Sequence, residues 1–295
     1  MLLHNGNLHG SIPLGHSTRL REEYQAIEFA LKKIKYEEHR WPICVDLKMV
    51  SILLGQQSGY TKFPCFLCLW DSRADGEHWT RSSWPSRELI VGKHNVIKKA
   101  LVPIEKIILP PFHIKLGLVK QFIKALDKDG QCFHEIARKL PAVSIQKLRA
   151  GVLDGPQIRK LIDDPEFVYS MDEREMKAWR AFVLVVENFL GNNRAKNDVE
   201  LVRNMLESFR ELGCRMSIKV HYLHGHLDWF PANCGAMSDE QGERFHQDLK
   251  TMEERYQGRW DTHMMGDFCW SMMRDRPNSL HARQSRTRQF LGNTE

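Results

Sequence analysis

The spacing of apolar residues predicts short strands and a helix in the first part of the chain. Two apolar stretches, 1–4 and 11–14, flank a turn rich in Asn and Gly, which predicts two short strands. Apolar residues then recur at helical spacing over 20–36, with Ser17 or Thr18 available as the N-cap. A hairpin followed by an amphipathic helix is therefore expected here.

The next segment adds a buried strand and a second helix. Residues 41–45 are apolar and bounded by polar positions, and 47–54 continue as a helix that ends near Gly55. The resulting order of strand, strand, helix, strand and helix is typical of an α/β sheet.

The remainder of the chain is predicted to be mainly helical. Residues 56–112 are rich in Pro, Gly and Trp and are expected to be irregular, whereas about 112–213 show helical periodicity. The clearest helical segments are 116–126, 177–190 and 198–212, the last of them closed by Gly213.

Residues 214–237 are interpreted as a connector rich in His and aromatic residues, within which His224 and His226 would share one face of a strand. Ser238 and Gln241 then form the pattern of a capping box, which predicts the start of another helix. The polar, basic tail after Pro277 is expected to be disordered.

Charge and composition restrict the class of protein. The chain has 295 residues, a net charge of +6 and a pI near 8.9, which suits a polyanionic partner without establishing one. We find no apolar run long enough for a membrane span and no signal-peptide pattern, so an intracellular protein, nuclear or cytoplasmic, is expected. In such a compartment, a close pair among the seven Cys indicates a metal or redox site.

Cys65 and Cys68 are that close pair. Their C-x2-C spacing lets two thiolates bind one tetrahedral Zn²⁺, which then needs two further ligands. His221, His224 and His226 lie close together downstream, and neutral imidazoles are common partners of thiolates. A redox pair or two buried thiols are the alternatives, and the Phe- and Trp-rich loop around the Cys disfavours the redox interpretation.

Asp46 and Glu240 are the candidate acids. Asp46 follows a predicted buried strand, where carboxylates of open α/β sheets face the ligand crevice, although it could equally cap the next helix. Glu240 lies in the first turn of a helix, where acids are common, and Asp239 and Glu243 are its local rivals. Two carboxylates brought together can bind a pair of Mg²⁺ ions, but full two-metal chemistry needs a third carboxylate, which we do not identify. The other available acids do not lie on a predicted strand: Asp71, Asp75 and Asp127.

The order of these features resembles the catalytic core of DDE-type cut-and-paste transposases. Within that class the chain is similar to the vertebrate antigen-receptor recombinase and to Transib-type transposases. The segments GYTKFPCFLCLWDSR and SDEQGERFHQDLKTMEERY also resemble those of a widespread group of invertebrate element-derived genes. The stretch FHIKLG at 112–117, which opens a helix, has a counterpart in the same family.

The resemblance implies a role for each candidate residue. It makes Asp46 the family's second catalytic Asp and Glu240 the family's Glu, both as ligands of catalytic Mg²⁺ or Mn²⁺. It assigns a structural zinc to two Cys and two His, which map to Cys65, Cys68, His221 and His226. His113 is a further residue that could approach a metal.

The fold implied by the resemblance is α/β. An incomplete RNase H-like core, 1–62, is followed by a large, mainly α-helical, zinc-containing insertion, 63–235. A C-terminal core helix, 236–273, and a basic tail, 274–295, complete it. The family's first catalytic Asp should lie on a strand just before the predicted hairpin. We therefore expect a chain that lacks this strand, its acid and the family's N-terminal DNA-binding domain.

The implied ancestral function is DNA strand nicking and transfer by two-metal chemistry, which we expect to be inactive in this shortened chain. The resemblance implies transposon-end DNA as the partner, and a homodimer is compatible with it. One alternative is a non-catalytic, zinc-stabilised module that binds nucleic acid or protein. A weaker alternative is an unrelated zinc hydrolase with Glu240 as its base, against which the lack of an H-E-x-x-H motif argues.

Overall fold

The chain divides into two compact units in a computed structural model that describes residues 2–3, 12–13, 21–257, 263–264 and 266–267. One unit comprises Met1–His16 with Arg244–Glu295, and the other comprises Ser17–Glu243. In the first unit, strands β1 (Leu2–Leu3) and β2 (Ile12–Pro13) pair antiparallel, as the apolar pattern predicts. Within the described ranges, no helix has the length and apolar character needed to cross a lipid bilayer.

Helices dominate the larger unit. Those that precede and follow the long irregular segment are α1 (Tyr24–Lys33), α2 (Tyr36–His39), α3 (Leu47–Leu53), α4 (Pro111–Ala125), α5 (Gln131–Lys139), α6 (Ile145–Arg149), α7 (Gly155–Ile162), α8 (Glu173–Asn188), α9 (Asp198–Leu212) and α10 (Ile218–Gly225). Helix α11 (Glu240–Arg255) begins in this unit and continues past residue 243.

A two-stranded parallel sheet is the β-structure of the larger unit. Strand β3 (Ile43–Cys44) pairs with β4 (Ile107–Ile108), and each strand leads within a few residues into a helix, α3 or α4. The predicted strand at 41–45 is therefore present but short, and β4 lies inside the stretch that we expected to be irregular. The fold is thus mostly helical with a small parallel sheet, and the RNase H-like core and the division at residues 62, 235 and 273 stay predictions.

Helix α4 lies at the centre of the hydrophobic core. Its residues Leu118 and Phe122 are fully buried, and the ring of Phe122 lies 5.3 Å from that of Trp179 on α8. Gly117 lets α10 approach α4 closely, because a Cβ at this position would lie 2.2 Å from Cδ of Lys219. The core cluster extends from Leu31 to Cys234 and so joins residues from most of the unit.

Several local predictions need correction. Helix α1 begins at Tyr24 with Glu23 at its N-cap, so it starts later than expected; Ser17 and Thr18 lie outside the described residues. The connector at 214–237 contains a helix, α10, where strand-like spacing of the His residues was expected. The predicted helix 47–54 and the Gly213 cap of α9 are confirmed, Gly213 having a φ of +86°. The tail, 274–295, is outside the described residues.

Candidate metal centre

Cys65 and Cys68 lie on a loop held in an extended hairpin-like arrangement. Cys68 forms an antiparallel bridge with Ser86, and the N–H of Leu69 donates to the carbonyl of Pro85 at 2.9 Å. Both thiols are buried: Cys65 is fully inaccessible and Cys68 is 3% exposed. The N–H of Leu67 points at Sγ of Cys65 at 3.4 Å. The loop therefore presents two sulfur atoms to the protein interior, with backbone N–H groups that favour the thiolate form.

The two histidines lie far downstream in the sequence, near the end of the segment that forms the larger unit. Ser217 caps the start of α10, accepting from the N–H of Val220 at 3.4 Å. His221 is on the second turn and is 1% exposed, and His226 is the C-cap residue of the helix. A single helix and its end therefore position both imidazoles against the Cys loop. His224, on the same helix, is not part of the group of candidate ligands.

The geometry of the four side chains fits a tetrahedral zinc. Nε2 of His221 lies 3.2 Å from Sγ of Cys68, and Nε2 of His226 lies 3.3 Å from Sγ of Cys68 and 3.6 Å from Sγ of Cys65. Bond lengths of about 2.3 Å to sulfur and about 2.0 Å to nitrogen place tetrahedral ligand atoms roughly 3.3–3.8 Å apart. All four atoms lie within 4.8 Å of one another. The donor set and spacing are those of a closed, structural Cys₂His₂ site.

Electrostatics at this cluster favour one thiolate. Burial disfavours the charged form of Cys65, but hydrogen bonds from Cys68, His221 and His226 outweigh it and lower its pKa well below the usual range. The pKa of Cys68 is raised, first by its hydrogen bond to Cys65 and then by burial. Burial lowers the pKa of His221, which keeps its imidazole neutral. A bound Zn²⁺ would supply the positive charge that allows both sulfur atoms to be thiolates.

The residues around the four ligands were not predicted from the sequence. Trp70 stacks on His221 with ring centroids 4.8 Å apart and an interplanar angle of 13°. The buried guanidinium of Arg87 donates to the carbonyls of Phe63, at 2.6 Å, and of Cys65. These contacts orient one imidazole and the Cys loop. Closeness to C-x2-C in the sequence could have indicated such a role for Trp70, whereas no sequence signal singles out Arg87.

The two predicted catalytic acids have other partners. Asp46 is the N-cap of α3, and its Oδ1 accepts from the N–H of Met49 at 2.7 Å. The carboxylate of Glu240 forms ion pairs with Arg159 and, at 3.7 Å, with Lys115. Within the described residues, the Cys/His cluster is the one group of three or more such side chains with ligand atoms this close. The structure therefore does not gather these acids into a comparable site, and their catalytic role stays a prediction.

Asp239 is the more buried acid in this region. Its side chain is 6% exposed, its Oδ1 accepts from the N–H of Phe112 at 3.0 Å, and its Oδ2 is hydrogen-bonded to Nδ1 of His113. His113, at the start of α4, therefore pairs with Asp239 and is not part of the Cys/His group.

Lys219 connects Asp239 electrostatically with Asp46. Burial, and then Lys120, lower the pKa of Lys219, whereas Asp239 and Asp46 act in the opposite direction. The ammonium therefore lies within electrostatic reach of both carboxylates. The sequence offered Asp239 only as a rival of Glu240.

Comparison with known proteins finds two domain families and no characterised relative. Residues 1–102 match a domain of unknown function (DUF8703), and residues 111–191 match a second domain of unknown function (DUF8704). No curated protein and no solved structure matches the chain. The Cys pair thus falls inside the DUF8703 match, whereas His221 and His226 lie beyond both matched segments.

Proposed function

We propose that this chain is a transposase-derived, zinc-stabilised DNA-binding protein with an RNase H-like core. The observation that supports it best is the convergence of Cys65, Cys68, His221 and His226, because the Cys and His pairs are more than 150 positions apart in the chain. In the recombinase and the Transib-type transposases that the sequence resembles, a zinc of this composition holds the insertion to the core. The proposal therefore depends on the order and spacing of residues together with their convergence in space.

Two further features agree with this descent. Asp46 directly follows β3, the strand that pairs parallel with β4, and carboxylates at the ends of parallel strands face the ligand side of an α/β sheet. Glu240 begins α11, a helix that follows the metal-binding segment in the chain. Both residues therefore follow the chain order of the family's second Asp and its Glu.

We further propose that the ancestral strand-nicking activity is not retained by this chain. A Mg²⁺ or Mn²⁺ pair would generate hydroxide and stabilise the leaving oxygen, with Asp46 and Glu240 as ligands. However, Asp46 is engaged in capping α3, and Glu240 is paired with Arg159 and Lys115. Divalent cations would have to displace these partners, so we propose that the chain binds DNA without cleaving it.

Zinc content and DNA binding should be measured first, on protein purified without added metal. We expect about one zinc per chain, and retention of labelled duplex DNA that weakens steeply with salt. Nicking of supercoiled plasmid should be absent with Mg²⁺ or Mn²⁺, and Asp46→Asn with Glu240→Gln should leave DNA affinity unchanged. A folded protein without zinc would overturn the proposed site. Nicking by the parent that the double variant loses would instead make the chain an active nuclease.

A further inference from the structure

A second surface feature lies beside the Cys loop, on the segments 57–63 and 93–95. It is a cleft of about 390 Å³, which we call the Tyr60 cleft. Clefts of roughly 300–1,000 Å³ are the size that holds small organic groups. The residues of the cleft that bear on its chemistry are Tyr60, Lys62, Phe63, Arg73, His94 and Asn95.

The aromatic ring of Tyr60 is fully accessible to solvent, at 107% of its reference area. Gly59, directly before it, has a φ of +98°, a conformation that side-chain-bearing residues rarely adopt, so the turn that presents Tyr60 depends on glycine. Phe63 meets the ring of His94 edge-on, with centroids 5.1 Å apart. An exposed ring next to a second aromatic pair is suited to stacking on a planar group.

The walls of the cleft are held by a buried cross-link. Arg87, which is 7% exposed, donates to the carbonyls of Phe63 and His94 and, at 3.0 Å, to Oδ1 of Asn95. The N–H of Gln57 also donates to the carbonyl of Asn95 at 2.8 Å. Both segments are therefore fixed to one guanidinium, so the cleft has a rigid floor beneath an exposed ring.

The charge of the cleft is positive. Lys62 and Arg73 line it, and within the described part of the chain no carboxylate pairs with the guanidinium of Arg73. Asp71 lies 3.2 Å from Lys62 through its Oδ2, and the charge of the nearby Arg73 guanidinium also acts on this carboxylate. One acid thus faces two cations, which leaves a net positive charge for an anion such as a phosphate.

We propose that the Tyr60 cleft binds an unpaired nucleotide of single-stranded nucleic acid. A base stacks on the ring of Tyr60, and Lys62 and Arg73 hold the adjoining phosphates. Bases in a duplex are already stacked on one another, so an exposed ring selects unpaired ones. The inference extends the proposed function from duplex DNA to single strands and rests on that function.

Fluorescence anisotropy on the intact chain tests the inference, with labelled oligo-dT, oligo-U and a duplex of equal length. Tyr60→Ala should weaken single-strand binding by about five- to a hundredfold, the range for losing one stacked base, while Tyr60→Phe should keep it. Tyr169→Ala is the matched control, because Tyr169 is 80% exposed and lies outside the cleft. Arg73→Ala should reduce the salt dependence of log K by about 0.7, whereas Arg180→Ala, at another exposed Arg, should not change single-strand affinity to a comparable extent.

Several other results would overturn the inference, each for a different reason. Equal affinities for the parent, Tyr60→Ala and Tyr169→Ala would mean that Tyr60 stacks on nothing. Binding of the duplex alone would remove the inference and leave the proposed function in place, whereas binding of neither form would remove both. Polyglutamate that displaces the single strand equally well from the parent and from Tyr60→Ala would show that the cleft binds by charge alone, without stacking. A preference for oligo-dT or oligo-U identifies the source of the nucleotide.

Discussion

The metal centre and the acid-bearing region illustrate two different fates of predicted site residues. At the metal centre, two Cys and two His from distant parts of the chain point their ligand atoms at one another, within 4.8 Å. At the acid-bearing region, Asp46 caps α3 and Glu240 pairs with Arg159 and Lys115. The four Cys and His residues meet in one group, whereas each acid is engaged by different partners.

The difference arises because helix ends stabilise acidic side chains locally, whereas they do little for thiols and neutral imidazoles. An Asp before a helix satisfies free N–H groups, and a Glu in a first turn interacts favourably with the helix dipole. Buried thiols and neutral imidazoles gain little from their own helices or loops, so four of them in one place require another explanation. A mixed set of ligands therefore indicates a site more specifically than an acid at a helix start does.

The largest expected effect is loss of the metal centre. Cys68→Ser or His221→Ala should abolish zinc binding and remove several kcal/mol of stability, because structural zinc binding contributes directly to folding. Zinc per chain and thermal unfolding by circular dichroism are the measurements. Two variants are matched controls: His224→Ala changes a His on the same helix, and Cys214→Ser changes a buried thiol outside the cluster. Retention of zinc in Cys68→Ser would contradict the site.

The second effect concerns Arg87, which joins the Cys loop to the Tyr60 cleft. Arg87→Met keeps most of the side-chain volume but leaves one buried and two partly buried carbonyls without this donor, so a loss of about 3 kcal/mol is expected. Urea unfolding measures it, with the exposed Arg73→Met as the control. Unchanged stability would show that these carbonyls find other donors.

A smaller effect is expected at Asp46 if capping is its main contribution. Asp46→Ala should cost about 1 kcal/mol, whereas Asp46→Asn should cost much less, because Asn also caps helices well. Asp172→Ala, which removes the cap of α8, should behave like Asp46→Ala in the same urea experiment. Equal losses for Asp46→Ala and Asp46→Asn would point to a role for the negative charge itself.

The smallest effect is expected at Glu240. Its partner Arg159 is half-exposed, and its contact with the more buried Lys115 is long, at 3.7 Å, so Glu240→Gln should change stability by no more than about 1 kcal/mol. Thermal unfolding with and without Mg²⁺ measures this effect and also tests the comparison. If Mg²⁺ raises the Tm of the parent but of neither Glu240→Gln nor Asp46→Asn, the acids do form a metal site and the contrast with the Cys/His cluster fails.

Periodicity predicted the helices well where their apolar faces are continuous. The helix at 47–54 and the helix closed by Gly213 are present as expected. Strand β4 was missed because two residues are too few to show a period, and its identity as a strand comes from pairing with β3. Helix α10 was missed because buried His and aromatic residues surround it, which obscures any amphipathic pattern.

The sequence by itself determined which residue types are available as zinc ligands and in what order. C-x2-C and the His cluster far downstream indicate this, because thiolates and imidazoles in such sets have few other shared uses. The resemblance named His221 and His226, but only the tertiary structure brings these two, and neither His224 nor His113, together with the Cys pair. That choice depends on how α10 packs on α4 over Gly117, a close approach between segments about a hundred residues apart in the chain that local spacing does not encode.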